Sequence, residues 1–173
     1  ATESAVGFPT SVNALQLSIQ GAADAFVTRF APNGTIDYST YIGGASPTTF
    51  LGGGENAKVA LAPDGALLLA GFTDSTDFPA GVVGAPYQSA KAGGQDVFVA
   101  KIDPSLPPGQ QLRARTYIGG SASQGGDFGI DVALDGIGNV YVTGYTSSPD
   151  FPTAGAVDAT LDAPLFDVFV VKF

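Results

Sequence analysis

The strongest constraint on this chain is that it repeats itself. Asp24-Ala-Phe-Val-Thr-Arg-Phe30 returns as Asp96-Val-Phe-Val-Ala-Lys-Ile102 and again as Asp167-Val-Phe-Val-Val-Lys-Phe173, at separations of 72 and 71 residues. Thr40-Tyr-Ile-Gly-Gly44 returns as Thr116-Tyr-Ile-Gly-Gly120, and Val59-Ala-Leu-Ala-Pro-Asp-Gly-Ala-Leu-Leu-Leu-Ala-Gly-Phe-Thr73 as Val132-Ala-Leu-Asp-Gly-Ile-Gly-Asn-Val-Tyr-Val-Thr-Gly-Tyr-Thr146. A Phe-Pro pair punctuates each unit at Phe8-Pro9, Phe78-Pro79 and Phe151-Pro152. Three ordered blocks sharing one period make the 173 residues about two and a half copies of one unit, and a period of this size belongs to arrays and propellers.

Each block has the chemistry of a strand. Val59–Leu61 and Leu67–Ala70 are short apolar runs on either side of Pro63-Asp64-Gly65, whose residues preset one φ and tolerate a positive one. The Asp-x-Phe-Val blocks are β-branched and aromatic, and the first is followed by the turn Pro32-Asn33-Gly34. With 24 Gly and 12 Pro, short segments and many turns are expected throughout. The unit therefore predicts a four-stranded antiparallel meander. Its strands are, in order, the Val-Ala-Leu strand, the Leu/Val-rich strand, the Asp-x-Phe-Val strand and the strand ending in Tyr-Ile-Gly-Gly. Runs such as Val97-Phe98-Val99-Ala100 are apolar at both alternating positions, which suits a sheet covered on both faces, as in stacked propeller blades.

The blocks Asp24-Ala-Phe-Val-Thr-Arg29, Tyr38-Ser-Thr-Tyr-Ile-Gly-Gly44 and Gly138-Asn-Val-Tyr-Val-Thr-Gly-Tyr-Thr146, with the following Asp150-Phe-Pro152, resemble the bacterial β-propeller repeat known as the SBBP repeat. The resemblance covers nearly the whole chain. It implies a propeller-type fold in secreted or cell-surface prokaryotic proteins, and it brings no catalytic residues to carry over. The chain departs from the family pattern in its extended loops at 80–95 and 104–113, and in having Ala62-Pro-Asp-Gly-Ala66 where the family prefers Asp-x-x-Gly-Asn.

As a single repeat domain, residues 1–44 should form a partial blade (strands three and four), 45–120 a full blade and 121–173 a partial blade (strands one to three). A ring needs about four to eight blades, so this chain is not expected to close alone, and a bare strand edge invites pairing with another chain. Three arrangements follow. Copies assemble head to tail into a ring or a filament by strand addition. The chain is part of a longer cell-surface propeller. Or it folds as an open stack with residues 1–20 covering an edge.

Composition narrows the function. The net charge is −9, with seven scattered Lys and Arg, which argues against nucleic acid and against anionic membrane surfaces. The apolar run at 65–71 is too short to span a bilayer. Cys, Met, His and Trp are absent, which removes disulfides, thiolate metal sites and two oxidation-prone side chains. That composition, and a first residue that is Ala rather than Met, fit an extracellular protein after removal of a signal peptide, though an excised or engineered piece would look the same.

Without His or Cys, no Ser-His-Asp or Cys-His nucleophile can be built. A glycosidase-like carboxylate pair can be drawn from Asp127 and Asp131 or from Asp74 and Asp77, but turn and strand-cap acids account for the same residues. No enzyme is expected. Asp127, Asp131, Asp135 and Asn139 around one Gly-rich loop, with Asp74 and Asp77 on another, are oxygen donors suited to calcium, although the EF-hand spacing is missing and Asx-turns explain them without metal. Asp24, Asp96 and Asp167 recur with Arg29, Lys101 and Lys172, so they belong to the fold, each Asp capping a turn or pairing with a cation on a neighbouring strand. Asn33-Gly34-Thr35 fits a glycosylation acceptor and equally an Asn-Gly turn. Tyr41, Tyr117, Tyr141, Tyr145 and Phe72 offer stacking surfaces for glycans, or packing between blades. The expected function is a non-enzymatic, secreted structural or interaction protein that associates with copies of itself through open sheet edges. The alternative is a carbohydrate-binding propeller module.

Overall fold

A computed structural model describes residues 7–45, 56–78, 85–123, 125–162 and 165–173. Among these, nine strands form three antiparallel sheets, none closed, in which every strand pairs with its neighbour in sequence. The first sheet holds β1 (Ala25–Phe30) and β2 (Ile36–Ile42). The middle sheet holds β3 (Asn56–Leu61), β4 (Leu67–Thr73), β5 (Asp96–Ile102) and β6 (Leu112–Ile118). The last holds β7 (Asp127–Leu134), β8 (Val140–Thr146) and β9 (Asp167–Lys172). The architecture is that of a full propeller blade between two partial ones.

The hairpins follow from their turn residues. In Ala31-Pro-Asn-Gly-Thr35, Gly34 adopts φ +83° and Ala31 N–H donates to the Thr35 carbonyl at 2.8 Å; in Ala62-Pro-Asp-Gly-Ala66, Gly65 adopts φ +82° and Ala62 N–H donates to Ala66 at 2.8 Å. The two turns join different strands of the unit, yet the same five-residue chemistry builds both. The β1–β2 and β5–β6 ladders shift register at equivalent positions, Arg29/Phe30 and Lys101/Ile102.

The inner strands β4 and β5 of the middle sheet are buried on both faces, as their doubly apolar runs predict. Leu67, Leu69, Phe98, Ala100 and Ile102 pack with Ala25, Val27, Tyr38 and Ile42 of the first sheet. The alternate residues Leu68, Ala70, Val97 and Val99 pack with Val132, Val142 and Phe169 of the last.

The Phe of each Phe-Pro pair has one repeated task. Phe8 lies 4.7 Å from Phe26, Phe78 lies 4.3 Å from Phe98, and Phe151 lies 4.7 Å from Phe169, ring centre to ring centre. The segments before β1 and β5 cover the outer edges of their sheets. Tyr41 N–H donates to the Gln16 carbonyl (3.2 Å), and Tyr117 N–H to the Gln88 carbonyl (3.1 Å). The described part of the N-terminal segment thus does cover an edge, that of β2. The middle sheet repeats the arrangement on β6, so it is part of the unit rather than a terminal plug.

Candidate interaction surface

The polar centre of each of the first two units is a buried carboxylate. Asp24 accepts from Gln16 Nε2 (2.5 Å), Gln20 N–H (2.9 Å) and Gly21 N–H (3.1 Å). Asp96 accepts from Gln88 Nε2 (3.0 Å), Ala92 N–H (2.8 Å) and Gly93 N–H (3.1 Å). The same glutamine carbonyls, Oε1 of Gln16 and of Gln88, take the N–H of Gly43 and Gly119. These glycines touch the carboxylates so closely that a Cβ on either would lie 2.4 Å from the carboxyl carbon. A buried carboxylate needs this donor set, because leaving it without partners costs several kcal/mol. Among the described residues, Asp167 accepts from Asp162 N–H at 2.7 Å.

These recurring acids therefore cap turns. The recurring cations pair elsewhere: Arg29 with Asp37 and Lys101 with Asp64, each at 2.6 Å, while Lys172 sits over the Tyr141 ring at 5.4 Å. The glutamines escaped the sequence reading, although each stands eight residues before its Asp and that spacing was visible.

Asp127 of β7 approaches the same place from the last sheet. It accepts from Gly120 N–H (2.8 Å), Ser148 Oγ (2.9 Å) and Thr146 Oγ1. A Cβ on Gly119 would meet the carboxylates of both Asp96 and Asp127. Burial raises the Asp96 carboxyl above its ordinary range, against the pull of the Ala92 and Gly93 N–H groups, and the Asp127 charge raises it further.

The four residues grouped for calcium do not meet. Asp127 opens β7 and Asp135 follows its end, roughly 25 Å away at the rise of an extended strand. Asp131 lies between them beside a bulge, exposed, and accepts from its neighbour Val132 N–H (2.9 Å). One ion cannot bridge all four. Asp135 and Asn139 do come together, in an Asx-type turn. Asp135 takes Asn139 Nδ2 (2.5 Å), Asn139 N–H (2.9 Å), Ile137 N–H (3.1 Å) and Tyr141 Oη (3.2 Å), and the Asn139 amide leads in lowering its pKa to about 2. Among the described residues, no three acidic side chains converge as a metal would require.

Asp77 and Asp150 tie one sheet to the next, accepting from Ala45 N–H and Ser121 N–H, each at 2.8 Å; Asp74 is buried. Asn33 sits on an exposed turn and accepts from Thr35 N–H (3.1 Å) and Oγ1 (2.7 Å). Of the aromatic candidates, Tyr41 and Tyr117 are buried, and Phe72 and Tyr145 pack on Phe128 at 5.0 and 4.9 Å.

The surface that stands out lies at the two ends of the stack, where equivalent residues serve as internal controls. Val97 and Val99 of the middle sheet are 0% and 8% exposed beneath the last sheet. Their counterparts Val168 and Val170 are 80% and 71% exposed. On the opposite face Phe98 is 0% exposed and its counterpart Phe26 is 41%. On the first strands Val132 is 7% exposed, whereas Val59 is 54%. Chemistry is held constant in each comparison, so the differences report only whether a neighbouring strand or sheet is present.

A cleft of about 560 Å³ opens between the middle and last sheets, lined by Leu68, Val99, Ala114, Leu134, Val140 and Phe173 among others. Here too an equivalent position is informative. Tyr38 of the first sheet is buried and donates its hydroxyl to Gln111 Oε1 (2.8 Å), beside Leu112 of β6. Its counterpart Ala114 is exposed and lines the cleft.

Residues 115–152, from β6 through β8, match the family model described as SBBP, beta-propeller repeat. This is the family that the motifs resemble, and the stacked meander sheets define the chain as a propeller-type repeat module. No curated protein matches the chain.

Proposed function

We propose that this module is a non-enzymatic structural protein that works outside the cell and associates with further copies of itself, head to tail, through its open ends. The observation that carries the reading is the exposure of Val168 and Val170 at one end and Phe26 at the other, against burial of their counterparts inside the stack. The chain makes this face-to-face contact twice within itself and presents one half of it at each end. Such a heterologous contact generates a ring if the rotation closes and a filament if it does not. Apolar surface of this kind is costly to leave in water, at about 25 cal/mol per Å². The lack of Cys and Met supports the extracellular setting.

Sedimentation of the purified chain should show species heavier than the monomer, and the double variant V168K/V170K should return it to monomer. Both valines are exposed, so lysines there leave the fold intact. A single monomeric species at about 100 µM, a concentration at which exposed edges ordinarily associate, would refute the reading.

A further inference from the structure

We propose that Asp96 and Asp127 share a proton at the joint between the middle and last sheets, and that this pair is a clasp which grips in acid and eases toward neutral pH. The proposal does not depend on whether copies associate.

Both side chains are fully buried, and they reach the joint from different sheets: Asp96 opens β5 and Asp127 opens β7. They meet at Gly119, the first glycine after β6. A Cβ there would lie 2.7 Å from one Asp96 oxygen and 2.8 Å from one Asp127 oxygen, so both oxygens border a space that a single carbon would fill. Asp127 also fastens the last sheet to the middle one. Its N–H donates to the Gln95 carbonyl (2.8 Å), and its carboxylate takes Gly120 N–H (2.8 Å). The charge state of the pair therefore acts on the contact itself.

The surroundings are anionic. Asp74 follows Thr73, which pairs with Asp96 in the β4–β5 ladder. Asp150 lies against Gly120, and Asp167 pairs with Thr146, whose hydroxyl donates to Asp127. The cation beside Asp96 is Lys91, and its ammonium donates to the carbonyls of Gly93 and Gly94. Two like charges this close in a buried site cannot both ionise freely, and the first proton bound belongs to the pair rather than to one residue. The Thr146 and Ser148 hydroxyls on Asp127 can accept as well as donate, so the pair takes up a proton without stranding a hydrogen-bond partner.

The sign follows from Asp96, which burial first, and the Asp127 charge further, raise above 3.8. A carboxyl raised in the folded state stabilises it fully below the unfolded value and progressively less as pH climbs through the folded one. The joint is therefore tightest in acid, and each unit of the raised pKa is worth about tenfold in its opening equilibrium.

Carbon-detected NMR of the aspartate carboxyls in the intact chain tests this without any substitution. The Asp96 and Asp127 signals should move together in two steps, and at higher pH than the exposed Asp64, which its hydrogen bond from Lys101 holds low. Hydrogen exchange, corrected for its intrinsic pH dependence, should show residues 127–134 about tenfold less protected at a pH of about 7 than at about 4.5, and D127N should flatten that slope. Independent single-step titrations of the two carboxyls, or the same slope in D127N, would overturn the proposal.

Discussion

At the residue scale, two carboxylates show how environment sets the sign of a charge's effect. Asp96 is buried and its pKa is raised above 3.8, so its stabilising contribution is complete below that value and is lost as pH rises through the higher folded-state pKa. Asp135 is held at about 2 by Asn139, so its contribution is present above about 4 and is lost as pH falls toward 2. Urea unfolding of the wild type, D96N and D135N from pH 2 to 7 should separate the two. Relative to D96N, the wild type should lose stability as pH rises from 4 to 7. Relative to D135N, it should gain stability from pH 2 to 4 and then level off. A D96N difference that grows with pH would contradict the assignment.

The reasons some residues were legible and others were not are local. Asp24, Asp96 and Asp167 announce themselves by recurrence, but their glutamine partners lie in loops of no regular period, where sequence gives spacing without direction. The set Asp127, Asp131, Asp135 and Asn139 looks compact when read as a loop. Once 127–134 is a strand, each four-residue step carries the chain roughly 13 Å further, and the group is pulled apart.

At the scale of elements, the hairpins were readable because Pro, Asn or Asp, and Gly fix their turns, and the strands because their apolar runs suit burial on both faces. The Phe-Pro pair was visible as punctuation, but its task was not, since ring stacking on the Asp-x-Phe-Val strand is a contact over about twenty residues. The pair also offers a comparison at fixed chemistry. Phe78 is buried on Phe98, whereas Phe8 covers a partly exposed Phe26. Phe78→Ala should cost about 3–5 kcal/mol in thermal or urea unfolding, the usual range for emptying an aromatic core site, and Phe8→Ala clearly less. Equal losses would mean that the covering segment is as buried at the open end as within the stack.

At the scale of the molecule, the stack has a direction. Each sheet presents one face to its predecessor and the other to its successor, so the two open ends are complementary rather than alike. Under the proposed self-association, ends of this kind meet head to tail, the geometry of a ring or a filament, rather than as two-fold pairs of identical ends. The arrangement into 2, 4 and 3 strands was already legible from the order of the motifs, because a meander places sequence neighbours side by side. The approach of Asp127 to Asp96 was not, because it depends on how one sheet rotates against the next.

The carboxylates of Asp77 and Asp150 carry a consequence for how the chain is made. Each holds the backbone just past the Gly-Gly of the preceding sheet, so the last corner of one unit is fastened by a residue that follows it by about thirty positions. A unit emerging from the ribosome has its strands before it has its clasp. It settles only when the next hairpin has been synthesised, and order should therefore spread along the nascent chain one step behind translation.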